Sequence, residues 1–113
     1  MESSLTIYHS GKYDWALFIG HLAVEKILKA VFVARMENKI PPKTHNLVRL
    51  AELSGIEINE KQRLELDKIN DFNIQIRYPD YRFEFYKKCN QAFAAENLER
   101  IKEYYTWAAS LIT

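Results

Sequence analysis

The stretch that decides the fold runs Tyr13-Asp14-Trp15-Ala16-Leu17-Phe18-Ile19-Gly20-His21-Leu22-Ala23-Val24-Glu25-Lys26-Ile27-Leu28-Lys29-Ala30-Val31-Phe32-Val33-Ala34. Its apolar residues recur at helical intervals. Leu17, Val24, Leu28 and Val31 form one stripe, and Ala16, Ile19, Ala23, Ile27 and Ala30 form another. A helix that is apolar on more than one face is buried on more than one side, so this one is central to a bundle or also forms a subunit interface. The segment from Trp15 to Ala34 is long enough to raise the question of a membrane span. His21, Glu25, Lys26 and Lys29 interrupt it, and charges at mid-bilayer depth are costly. It is read as a buried helix running from Tyr13 to about Asn38. Ile40-Pro41-Pro42 stops it, because proline has no N–H for the ladder and disfavours helix in the residue before it.

The flanking sequence is helical too, with only three glycines and three prolines as punctuation. A short helix is expected near Leu5 to His9, broken by Ser10-Gly11. Thr44 or Asn46 is placed to cap a short third helix carrying Leu47, Leu50, Ala51 and Leu53, with Gly55 at its left-handed end. Asn59 followed by Gln62 resembles a capping box and opens a fourth helix to about Ile76, with Leu66, Ile69, Phe72 and Ile76 facing the core. Pro79 is expected to stop it. Tyr78 to Asn90 is aromatic and charged, without a clear period. A last helix begins near Ala92 and carries Ala94, Leu98, Ile101, Tyr105, Ala108 and Ile112. The expected fold is an all-α, up-and-down bundle of four to five helices.

The chain has 113 residues, room for one domain, and is 48% hydrophobic and 27% charged, which suits a globular core and not a disordered chain. A net charge of +1 argues against a general DNA-coating protein but leaves room for a local basic patch. The single cysteine, Cys89, excludes an internal disulfide and a cysteine-based zinc site. The start, Met1-Glu2-Ser3-Ser4, lacks the pattern of a secretory signal, so a cytoplasmic location is expected.

Among chemistry-bearing residues, His21 and Glu25 lie four apart and could offer two metal ligands, but nothing nearby completes a set. No glycine-rich phosphate loop is present. Cys89 sits beside Lys88 but is read as an inert thiol. Glu25 and Lys29 form an i, i+4 pair in the favourable order. They are either a surface pair or a polar pocket in which Glu25 orients a basic group. The segment Arg77-Tyr78-Pro79-Asp80-Tyr81-Arg82, with Lys87 and Lys88 after it, gathers arginines and tyrosines. Arginine forks suit phosphates and tyrosines can stack on bases. The plain alternative is a helix end whose aromatics fill a core edge and whose charges pair locally.

Four segments in order resemble the HEPN domain, the higher eukaryotes and prokaryotes nucleotide-binding domain. They are Gly11-Lys12-Tyr13-Asp14-Trp15-Ala16, Ala23-Val24-Glu25-Lys26-Ile27-Leu28-Lys29-Ala30, Pro42-Lys43-Thr44-His45-Asn46-Leu47 and Arg77-Tyr78-Pro79-Asp80, the last resembling the family's arginine-tyrosine-proline branch. The resemblance implies a helical bundle that commonly forms homodimers. It also implies pairing with a minimal nucleotidyltransferase as toxin and antitoxin, and in several members metal-independent ribonuclease activity. The family's ribonuclease motif places a histidine after four to six residues beyond its arginine. After Arg77 those positions hold Arg82, Phe83 and Glu84. An arginine stays protonated at neutral pH and cannot do the acid–base work of that histidine. His45 belongs to the other loop.

The expectation is therefore a nucleotide-, RNA- or partner-binding module without a catalytic residue, metal or cofactor. Its anion-binding residues are taken as Arg77, Tyr78, Asp80, Arg82, Glu25 and Lys29. The competing readings are a ribonuclease toxin with a degenerate motif and a dimerisation adaptor. Tyr78 is expected to stack on Arg77 and Asp80 to hydrogen-bond it.

Overall fold

A computed structural model describes residues 2–37 and 39–112. It has six helices: α1 (Glu2–His9), α2 (Tyr13–Arg35), α3 (Leu47–Leu53), α4 (Glu60–Arg77), α5 (Pro79–Lys88) and α6 (Gln91–Ser110). No strand occurs among the described residues, so the fold is all-α, with one helix more than the largest number expected.

α2 is the axis on which the other helices pack. Leu17, Val24, Leu28 and Val31 are wholly buried, as the first apolar stripe requires. The second stripe divides: Ala16 is buried, Ile19, Ala23 and Ile27 are half-buried, and Ala30 is exposed. α4 and α6 run antiparallel, since Glu65 meets Arg100 and Tyr104 while Phe72 meets Phe93. Gly20 lets α2 approach α6 closely, because a Cβ there would stand 2.8 Å from Ile101 Cδ1. Ser4 ties α1 to α2 by donating to the Ala16 carbonyl at 2.7 Å.

Several helix ends differ from expectation: α1 begins at Glu2, three residues early, and α6 closes at Ser110, so Ile112 lies beyond it and is exposed. α2 closes at Arg35, with Glu37 at φ 52, several residues before the prolines; the expected bound at Asn38 lies outside the described residues. Pro79 ends one helix and also begins the next, occupying the first turn of α5, where a missing N–H costs nothing. Tyr78 serves both helices. It closes α4 with its N–H on the Ile74 carbonyl, and its own carbonyl accepts from Tyr81 and Arg82 at 3.0 and 3.1 Å. Of the side chains described on α5, only Phe85 is buried, stacked on Phe72 with ring centroids 5.8 Å apart.

The capping box of Asn59 and Gln62 is present as read, with reciprocal bonds of 2.8 and 2.9 Å. Of the two candidate caps of α3, the structure uses Asn46 and not Thr44. Asn46 accepts from the Arg49 N–H at 3.2 Å, while the Thr44 hydroxyl accepts from the Asn46 N–H and only tightens the turn before it. Asn46 stands at the position next to the first helical residue, and Thr44 is two residues too early. Asn46→Ala is therefore expected to cost about 1 kcal/mol and Thr44→Ala only a few tenths. Thermal melts of the two variants would check this, and a larger loss for Thr44→Ala would reverse the assignment.

Candidate functional site

The loop before α3 is pinned to the middle of α2 by a buried carboxylate. Glu25 is 6% exposed. Its Oε1 accepts from His45 Nδ1 at 2.8 Å and its Oε2 from Lys29 Nζ at 3.1 Å. Burial alone would raise the Glu25 carboxyl, but the bonds from His45 and Lys29, together with their charges, outweigh it and hold the group below the usual carboxylate range. One turn earlier, His21 donates from Nε2 to the His45 carbonyl at 3.0 Å. His45 is thus clamped at ring and backbone, while its side chain remains 52% exposed. With Nδ1–H committed to Glu25, the ring presents Nε2 outward.

His21 is fully buried and its Nδ1 has no hydrogen-bond partner among the described residues. Asn70 lies beside the ring but spends its amide on Asn46 and Asp67. Burial lowers the His21 pKa most, against the opposing pull of the His45 carbonyl and the Glu25 charge. Its ordinary value is 6.5. As pH falls below that value, the unfolded chain takes up a proton that the folded chain refuses, and stability falls. The slope approaches about 1.4 kcal/mol per pH unit for one proton. Urea melts between pH 5 and 7.5 should show this slope, and His21→Asn should flatten it. An unchanged slope in His21→Asn would assign the effect to another group.

Beyond His45 lies a cleft of 340 Å³ between the loop and α4, walled by His45 and Asn46 on one side and by Asp67, Asn70, Asp71, Asn73 and Ile74 on the other. Asn70 fixes its mouth by accepting from the Leu47 N–H at 2.8 Å.

The expected site residues do not form one constellation. Glu25 and Lys29 belong with His45, so Glu25 does orient basic groups, within the chain. Arg77 is exposed at the end of α4 and has no hydrogen bond or ion pair among the described residues. Neither Tyr78 nor Asp80 holds it, contrary to the expected stacking and charge-assisted bond. Tyr78 is 57% exposed, and Asp80 sits in the first turn of α5, where a negative charge suits the helix dipole. Arg82 points elsewhere, with its guanidinium carbon 4.7 Å over the Trp15 ring. That pair lines a second, more apolar groove of 830 Å³ with Ile7, Ile19, Phe83 and Tyr86. Trp15 and Glu25 are ten residues apart on α2, about 15 Å along its axis.

The sequence reading missed Asn73 as a site residue. Its signal was a polar residue set among the core positions Ile69, Phe72 and Ile76 of one helix. Among the described residues no group of three or more histidine, cysteine or acidic side chains could hold a metal ion. Cys89 is buried, and burial together with the Asp14 charge pushes its thiol up to about 12, so it stays protonated at neutral pH. No helix among the described residues is long and apolar enough to cross a membrane.

An antiparallel helical bundle with a carboxylate-clamped histidine in one loop and an unpaired arginine at a proline-marked junction defines a small all-α module. The family model for the HEPN domain matches residues 1–111, and the chain belongs to that family. At the family level this makes it a nucleotide- or RNA-related module. No curated protein and no solved structure matches the chain.

Proposed function

We propose that this chain is a cytoplasmic module that binds the phosphate of a nucleotide or RNA strand at the junction of α4 and α5, without efficient cleavage. The observation that carries the reading is Arg77: a guanidinium at the junction of two helices, open to solvent and free of any partner among the described residues. A paired arginine would have to break a bond before taking a phosphate, and this one does not. Tyr78 beside it offers an exposed ring for a base.

Fluorescence anisotropy with a labelled single-stranded RNA at low salt tests the binding. The same RNA incubated with excess chelator tests the chemistry, and it should stay intact. Robust cleavage that disappears in Arg77→Ala would overturn the non-catalytic reading and make the protein a metal-independent ribonuclease.

The protein acts as a homodimer in this proposal. Ile19, Leu22, Ala23 and Ile27 leave a half-buried apolar strip along α2, which a second copy would cover. Light scattering at micromolar concentration should give twice the chain mass; a monomer would end this part of the proposal.

A further inference from the structure

Asn73 has no structural explanation. It is 6% exposed, on the core side of α4, and its amide makes no hydrogen bond with any described residue. Among the described residues His21 Nδ1 is the one fully buried side-chain polar atom without a partner, so the Asn73 amide keeps access to solvent, while leucine would fill the same core-side space without placing an amide there. Asn73 also lines the cleft. A side chain that is otherwise buried, whose amide is unpaired within the described chain and keeps access to a cleft, is a recognition group open to a ligand.

The rest of the cleft indicates the partner's chemistry. His45 presents its outer ring nitrogen, clamped in place by Glu25 and His21. Asp71 contributes a carboxylate, of which Oδ2 meets Gln75 at 3.3 Å and Oδ1 has no partner among the described residues. Ile74, 46% exposed, supplies an apolar surface in the same wall. The cleft is thus rich in acceptors, with an amide that can both donate and accept and an aliphatic face beside them. Such a site suits a flat heterocycle with N–H donors on one edge and repels a bare phosphate.

Charge is also ordered along α4. Asp67 and Asp71 come first, Asn73 next and Arg77 last. Asn73 and Arg77 are four apart, so their Cβ atoms lie about 6 Å from each other. A nucleotide has the same polarity, with hydrogen-bond donors at one end and an anion at the other.

We infer that the cleft between the loop before α3 and α4 recognises a guanine base, through Asn73 and Asp71, with its phosphate on Arg77. Guanine is chosen because its adjacent N1–H and N2–H donors match a carboxylate, whereas adenine and uracil offer no such pair. The inference rests on the Arg77 reading for the phosphate only; the base contacts stand on Asn73 and the cleft.

Calorimetric titration of the full chain tests it with GMP, AMP, CMP, UMP, guanosine and ribose 5-phosphate. A second arm uses octauridylate with and without one guanosine, to distinguish a free nucleotide from an RNA strand. GMP, or the guanosine-bearing strand, is expected to bind at least tenfold tighter than its base-substituted counterparts. Asn73→Leu and the exposed, conservative Asp71→Asn should each remove that preference and leave ribose 5-phosphate binding unchanged. Asn73→Leu should melt no lower than the wild type, since the free protein gives the amide no partner to lose. Binding that does not distinguish bases, or a guanine preference that survives both variants, overturns the inference while leaving Arg77 as a phosphate site. Guanosine binding that depends on Asn73, with GMP indifferent to Arg77→Ala, upholds the cleft and overturns the Arg77 reading instead.

Discussion

Arg77→Ala is expected to weaken binding of single-stranded RNA or nucleotide by ten- to a hundredfold while leaving the melting temperature nearly unchanged. The two halves of that expectation come from one observation. Arg77 has no hydrogen bond or ion pair among the described residues, so its removal breaks none of their contacts, and exposed substitutions of this kind stay within about 0.5 kcal/mol. A charge-assisted bond to a phosphate is worth about 1.5–3 kcal/mol, which converts to that range of affinity. Arg77→Lys should recover only part of the loss, because lysine keeps the charge and lacks the planar fork. The dependence of affinity on salt should also become shallower by about 0.7 in log–log slope for each phosphate contact removed from a single strand. Anisotropy titrations at two or more salt concentrations measure both effects. Equal affinity for Arg77→Ala and the wild type would move the binding site off the junction.

Glu25→Ala should be the most destabilising change near the site, at about 2–3 kcal/mol, or a melting temperature lower by about 10 °C. The carboxylate is buried and accepts two charge-assisted bonds. Its partners limit the loss, since Lys29 and His45 reach water and can be solvated when released. Glu25→Gln should recover about half, because the amide oxygen still accepts from His45 Nδ1–H. The pH dependence has a definite sign. The folded pKa of Glu25 lies below its ordinary 4.5, so its contribution is complete above that value and disappears as pH falls through the folded one. Glu25→Ala should therefore lose less stability on acidification below pH 4.5 than the wild type. Equal melting temperatures at pH 7 would show that the loop before α3 is held by packing alone.

Both predictions concern residues that the sequence had singled out, and the reasons differ. Glu25 and Lys29 were legible because helical spacing places them together on any regular helix. That Glu25 also holds His45, twenty residues away, was not legible, because only the packing of the loop against α2 brings them within 2.8 Å. Arg77 stood out by its residue type and its neighbour Pro79. The expected clamp by Tyr78 and Asp80 failed because Pro79 starts a new helix and draws Asp80 into that helix's first turn.

Local patterns carried the architecture. The apolar periods of α2, α4 and α6 and the Asn59–Gln62 box act over three or four residues, and such short-range terms act in any context that keeps the helix. α5 was not readable for the same reason in reverse. It buries only Phe85 among its described side chains, so it has no apolar period to detect, and it exists because Pro79 and Phe72 position it. The cleft belongs wholly to the tertiary structure. Asn73 is an ordinary polar residue in sequence, and only the docking of the loop before α3 onto α4 makes it part of a cleft wall.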